Sequence, residues 1–206
     1  IEDEEREYLV LETPRGNTEA VVVTNWTIKS VRTGNEITIP TARMVVDGKH
    51  QEVPVTLFPD SELYIFSGEA PDRWFSYRLN ICSGYLNDQL FEDDILLSVP
   101  NNCPDPEDFP LPSYVRTDPI CMEEIRDIPR CELAGTIPNS VPRDCGRYMR
   151  ETFTYTSCVD IFSDNSGFNE NEWRVYLDLD DPIWEEDDEI LRIYDATGTR
   201  VSTFIE

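Results

Sequence analysis

The sequence predicts a mainly-β protein, a β-sandwich split by a large cysteine-rich insertion that carries two short helices. Three observations predict it. Before residue 70, short runs rich in Val, Ile, Thr and aromatic residues alternate with turn residues. After residue 170 the same pattern returns. Between 71 and 158 lie all six cysteines and most of the 15 prolines, and the apolar spacing there becomes helical. The boundaries follow: residues 1–70 form the first half of the sandwich, 71–160 the insertion and 161–206 the closing strands. The two ends need each other to complete one core.

The elements follow in chain order. "IEDEERE" (1–7) is a charged leader. "YLVLE" (8–12) and "AVVVTNWTIKSV" (20–31) read as strands separated by the turn "TPRGNTE". "TGNE" (33–36) is a turn and "ITIP" (37–40) a short strand ended by Pro40. In "ARMVVDGKHQEVPVTL" (42–57), "DG" between alternating apolar runs signals a hairpin. "ELYIFSG" (62–68) is a further strand. In "CMEEIRDIPRC", Cys121, Ile125 and Ile128 recur at helical spacing behind Asp118-Pro119 as cap and first turn. In "CGRYMRETFTYTSC", Cys145, Met149 and Phe153 share a face, with Asp144 ahead as cap. "WRVYLDL" (173–179), "ILRIYD" (190–195) and "RVSTFI" (200–205) close the chain as strands, the last two joined by "DATG". Trp26, Tyr64, Ile65, Trp173, Val175, Leu191 and Ile193 are the expected core.

Composition narrows the function. The net charge of −25 disfavours nucleic acid, which needs clustered Lys and Arg, and disfavours anionic lipid. Only Lys29 and Lys49 are lysines among 17 basic residues. Scarce Lys with abundant acid suits either a salty exterior or an acidic extracellular protein in ordinary salt. No apolar run is long enough to span a membrane as a helix. The cysteines Cys82, Cys103, Cys121, Cys131, Cys145 and Cys158 show no C-x-x-C, and His50 is the only histidine, so zinc is disfavoured and disulfides are expected. Sequence neighbours are the simplest pairing: Cys82–Cys103, Cys121–Cys131 and Cys145–Cys158, each helix tied by its own bridge. An oxidising compartment follows, with the chain read as a mature exported protein or an excised fragment, secreted or at the cell surface.

The segments "EYLVLE", "VVVTNWTIKS", "GNEITIP" and "ELYIFSG", followed by "WRVYLDL" and "ILRIYDATGTRVSTF", resemble the lamin tail domain. The residues that carry the resemblance are Trp26, Ile39-Pro40, Tyr64-Ile65 and Tyr194-Asp195 with Gly198 and Val201. The cysteine-bearing middle is similar to that of secreted lamin-tail-like proteins of reduced-genome bacteria. The resemblance implies an immunoglobulin-like sandwich, no catalytic residues, and an exported binding or scaffold module. The insertion and the acidity depart from the nuclear members.

Candidate chemistry is sparse. His50 sits in a polar hairpin tip, and no nucleophile, phosphate-loop or dinucleotide motif is present, so the chain is not read as an enzyme. Asn25-Trp26-Thr27 is formally a glycosylation sequon, but it falls inside a predicted strand. Hard cations need several oxygens converging on one loop, and two loops offer them. One is "DIFSDNSGFNENE" with Asp160, Asp164, Asn165, Asn169 and Asn171; the other is "DLDDPIWEEDDE" with Asp178, Asp180 and Asp181. The second holds eight carboxylates between 178 and 189 without a basic residue. Its simpler reading is a solvated rim: Leu179 inside, Ile183 and Trp184 anchoring the connection, and the carboxylates outward, blunting a sheet edge. Arg143, Arg147 and Arg150 form the densest basic patch. The expected function is a non-enzymatic secreted or cell-surface structural or interaction protein with a protein partner, which includes a second copy of itself, and no resident cofactor unless calcium fills a loop. The alternative is a calcium- or glycan-binding accessory domain of a larger secreted enzyme.

Overall fold

The computed structural model describes residues 8–68, 70, 75–89, 98–132, 135, 137–179 and 189–205. Among these the chain is mainly β, with twelve strands in three sheets and three disulfides. The strands are β1 (Tyr8–Glu12), β2 (Val21–Val22), β3 (Thr27–Ser30), β4 (Glu36–Thr38), β5 (Ala42–Val46), β6 (Lys49–Val53), β7 (Thr56–Leu57), β8 (Glu62–Phe66), β9 (Tyr77–Asn80), β10 (Asn169–Tyr176), β11 (Ile190–Tyr194) and β12 (Arg200–Ile205). The chain divides into two compact units: Ile1–Met44, His50–Leu79 and Asn171–Glu206 form one, Val45–Lys49 and Asn80–Glu170 the other.

The sheets are ordered β1-β8-β10-β9-β5-β6, β12-β11-β3-β4 and β2-β7. β1 runs antiparallel to β8, with Leu9 opposite Ile65. β8 and β10 run parallel, Leu63 opposite Trp173. Parallel neighbours need a crossover rather than a tight turn, and the long segment between Phe66 and Asn169 is that connection. β9 is central in its sheet, yet it lies in the stretch the sequence assigns to the insertion. Its four residues are too few to show a clear period.

Strand breaks follow residue chemistry. The run 20–31, expected as one strand, is interrupted at Asn25, which adopts φ 67° and parts β2 from β3. Asn tolerates that left-handed backbone better than most residues. Asn25 is therefore an exposed turn residue rather than a strand residue. The "DG" signal is met: Asp47 (φ 49°) and Gly48 (φ 70°) form the positive-φ pair of a type I′ turn between β5 and β6.

In the first unit Ile28, Ile39, Leu63, Ile65, Trp173, Val175, Leu191 and Ile193 belong to one buried cluster. The six-stranded and four-stranded sheets both contribute to it. Trp173 also donates its ring N–H to the Thr56 carbonyl at 3.1 Å. Two expected core residues differ. Trp26 is only half-buried against the cluster. Tyr64 points to the opposite face of β8, where it bonds Glu62 and lies 5.9 Å from the Tyr8 ring. The period of two puts Leu63 and Ile65 on one side and Tyr64 on the other.

The second unit is helical: α1 (Ser113–Arg116), α2 (Pro119–Arg126), α3 (Arg143–Thr152) and α4 (Tyr155–Phe162). α2 starts as expected, the Asp118 carboxylate accepting from Ile120 and Cys121 N–H with Pro119 in the first turn. The expected helix over 145–158 is two helices. Phe153 leaves helical geometry after α3, and the Thr154 hydroxyl accepts from Ser157 N–H to start α4. Asp144 lies inside the first turn of α3 rather than capping it. The core holds the six cysteines with Tyr85, Phe109, Val115, Ile125, Met149, Phe153 and Val159. Phe109 meets Phe153 and Phe162 edge-on at 5.2 and 5.0 Å.

All six cysteines are bridged, but not as sequence neighbours. The bonds are Cys82–Cys158, Cys103–Cys131 and Cys121–Cys145. No helix is tied to itself; Cys121–Cys145 joins α2 to α3. Cys121 and Cys145 each sit on the buried stripe of their own helix. An inward sulfur finds its partner on the facing element, and their Cα atoms stand 5.9 Å apart.

Candidate functional site

α3 presents the arrangement with the clearest chemical character. Its buried side carries Cys145, Tyr148 and Met149, and Phe153 is buried at its end. Gly146 lies on the same side, where an added Cβ would stand 3.3 Å from the Ile137 side chain. Arg143, Arg147 and Arg150 are all exposed. Their spacing of four and three residues stacks them along one outward stripe. Asp144 in the first turn and Arg150 in the last both complement the helix dipole.

The stripe is only weakly neutralised from within. Arg147 donates to Asp144 at 2.9 Å, but both side chains are more than half exposed, so the pair contributes little. Among the described residues no ion pair involves Arg143 or Arg150. Two other arginines of this unit are engaged: Arg130 pairs with Asp105 through Nε and one terminal nitrogen, and Arg126 with Glu107 at 2.9 Å. The hydrogen bond from Arg130 holds the Asp105 carboxyl below its ordinary value. Three outward guanidiniums on a disulfide-anchored helix can accept carboxylates in forked geometry.

The acidic candidates separate. Asp160 on α4 and Asp164 just beyond it are exposed and one turn apart. Asp178 is exposed at φ 55° after β10. Asp180, Asp181, Ile183 and Trp184 lie outside the described residues. Among the described residues no group of three or more His, Cys, Asp or Glu is placed to hold a metal ion. Two expectations for this loop are corrected. Leu179 is 38% exposed; Leu177 is the residue that packs on the core. Glu189 does not point outward but is fully buried. Its carboxylate takes the Ser30 hydroxyl at 2.9 and 3.0 Å and the Ile190 N–H at 2.8 Å. Its position directly before a strand was the one sequence signal that set it apart from its acidic neighbours.

His50 stands edge-on to Phe75 at 5.5 Å. Burial, then the Arg43 charge, holds its pKa below the ordinary value. The sequence reading also missed an aromatic row on the second face of β8, where Phe66 stacks on Tyr176 at 4.9 Å and meets Tyr8 at 5.7 Å. Beside it Tyr64 is pushed up to about 12, by burial first and then by its bond to Glu62. Arg174, only 5% exposed, donates to Glu172 at 2.8 Å. These groups brace the strands. Comparison with protein-family models, curated proteins and solved structures finds no match to this chain.

Proposed function

We propose that this chain is a non-enzymatic extracellular interaction module: an immunoglobulin-like sandwich of the lamin-tail type that carries a disulfide-braced helical unit and binds an acidic protein surface through α3. One observation carries the reading. Arg143, Arg147 and Arg150 line the exposed face of a helix whose buried face is fixed by Cys121–Cys145. Fixing the helix limits the side-chain and segmental ordering that binding would otherwise require. The sandwich assignment is supported by the cluster that draws Leu63 and Trp173 from one sheet and Ile28 and Leu191 from another. An oxidising compartment is supported by three bridges that use every cysteine. The acidic surface is that of a further copy of this chain, in a head-to-tail contact that leaves a free stripe at one end.

The test is the Arg147→Glu, Arg150→Glu variant, followed by light scattering over a salt series. The parent should associate at low ionic strength and dissociate as salt rises, and the variant should remain monomeric. Association of the variant equal to the parent's at every salt concentration would refute the arginine contact. Dissociation of the parent by chelator alone would point instead to calcium at the acidic loop 178–189.

A further inference from the structure

One face of the six-stranded sheet turns away from the core cluster, and strand register places its side chains. β1 pairs with β8 so that Glu12, Val10 and Tyr8 stand opposite Glu62, Tyr64 and Phe66. β10 pairs with β8 so that Glu172, Arg174 and Tyr176 stand beside the same three. The alternate residues Leu63, Ile65, Trp173 and Val175 lie in the core cluster, so this set faces the other way. Glu12, Glu62 and Glu172 therefore form a row of carboxylates across three strands, with Tyr64 and Arg174 in the next row. Like charges directly opposite one another cost stability. The face offsets only part of that cost itself. Glu172 accepts from Arg174 at 2.8 Å, and Glu62 from the Tyr64 hydroxyl at 3.0 Å. Glu12 and Glu62 are exposed, and among the described residues no ion pair involves either.

The same face already seats one guanidinium. Arg174 lies over the Tyr64 ring at 5.8 Å while it bonds Glu172. Tyr64 is only partly buried, and Tyr8, 45% exposed, extends the aromatic surface with its ring 5.9 Å away. An arginine arriving at Glu62 would meet the chemistry that holds Arg174: a carboxylate to accept from it and a tyrosine ring beside it. Spacing points to where such arginines come from. Neighbouring strands stand about 4.8 Å apart, which sets the step from Glu12 to Glu62. On α3 the rise of about 1.5 Å per residue sets Arg150 about 4.5 Å beyond Arg147. The two steps agree closely. The carboxylates of Asp105 and Glu107 match the stripe less well, being already bonded to Arg130 and Arg126.

We propose, resting on the reading of α3 as the arginine contact, that the sheet face of Glu12, Glu62 and Tyr64 is the acidic surface that receives α3 of the next copy. Arg147 and Arg150 bond Glu12 and Glu62, one guanidinium lying against Tyr64, and Arg143 extends the stripe one turn further. The contact is heterologous, since each copy offers one helix and one sheet face. Local charge selects the occupant: the whole chains repel, but these two patches carry opposite sign and attract at contact distance. Rising salt weakens the contact.

The experiment is sedimentation equilibrium of the full chain at low salt. It compares the parent with a sheet variant, Glu12→Lys, Glu62→Lys, and with the helix variant, Arg147→Glu, Arg150→Glu. The sheet variant makes the net charge of −25 less negative and so lowers the general repulsion. It should nevertheless associate more weakly than the parent by roughly tenfold or more. Asp160→Lys, Asp164→Lys makes the same change of charge outside the row and should associate no less than the parent. The sheet and helix variants should each be monomeric alone. Mixed, they should form a 1:1 dimer, because each keeps the surface the other lacks. If the sheet variant fails to fold, Glu12→Lys alone decides, since Glu12 is exposed at the end of an edge strand. A folded sheet variant that associates as the parent does overturns this pairing and leaves the arginine contact standing. So does a mixture of the two folded variants that forms no dimer, or equal weakening by Asp160→Lys, Asp164→Lys. A helix variant that associates as the parent does, or a parent that stays monomeric at every salt concentration, overturns both.

Discussion

Replacing Cys82 and Cys158 by Ala is the perturbation that weighs most on the fold. The two residues are 76 apart in sequence, the longest separation of the three bridges. In the chain-entropy account a bare loop of that length confers about 4.5 kcal/mol by restricting the unfolded chain. The other bridges, Cys103–Cys131 and Cys121–Cys145, lie inside it and shorten the free path through the cross-linked chain. With that path near 45 residues the contribution falls to about 4 kcal/mol. Both sulfurs are fully buried, so their removal also leaves a small void, and the total loss is about 5 kcal/mol. The Cys121→Ala, Cys145→Ala pair, separated by 24 residues, should lose nearer 3.5 kcal/mol of entropic stabilisation. Urea unfolding reads both losses. The m-value should rise in both variants because the unfolded chain expands when a cross-link is removed. Non-reducing peptide mapping of the parent must find Cys82 joined to Cys158. A Cys82–Cys103 peptide, or a smaller loss from the long bridge than from the Cys121–Cys145 bridge, would refute the reasoning.

Two further outcomes are expected. Trp173→Ala should lower stability by about 3–5 kcal/mol, because its ring is 1% exposed and its N–H bonds the Thr56 carbonyl, while Tyr64→Phe should change melting far less; equal shifts in the two melting curves would contradict the assigned face of β8. Asp105 should titrate below an ordinary carboxylate because Arg130 hydrogen-bonds its charged form, so its contribution is present above the unfolded pKa and lost as pH falls through the lower folded value; carboxyl NMR should show the depression in the parent and none in Arg130→Ala.

Local rules made part of the fold legible. Asp-Gly between alternating runs marks a type I′ hairpin because few other residue pairs accept two positive φ values, and Asp47-Gly48 does so. Asp118-Pro119 marks a helix start because a cap acceptor and a residue without N–H both suit the first turn, and α2 begins there. Strand period two placed Ile65, Val175, Leu191 and Ile193 inward. The misread cysteine pairing and Glu189 share one cause, since each depends on a neighbour distant in sequence. Cysteine spacing carries no record of which sulfur lies across a core, so Cys121 met Cys145 rather than Cys131. The face of Arg143, Arg147 and Arg150 was visible as a charge cluster, but its orientation came from the buried stripe through Cys145 and Met149. Glu189 was read with its acidic neighbours, and only pairing of β11 with β3 brings Ser30 beside it. Thr154, a good cap residue, was passed over because Cys145, Met149 and Phe153 suggested one uninterrupted helix.

The arginine contact proposed for α3 works within the charge of the chain. At physiological ionic strength the Debye length is about 8 Å, so repulsion between copies of net charge −25 is screened beyond the first layer of groups. Arg143, Arg147 and Arg150 attract carboxylates across that distance and lose the attraction as screening rises. A salt series on the parent should therefore show association that falls as salt rises, and Arg147→Glu, Arg150→Glu should remove it. Association of that variant equal to the parent's at every salt concentration would mean that another surface carries the contact.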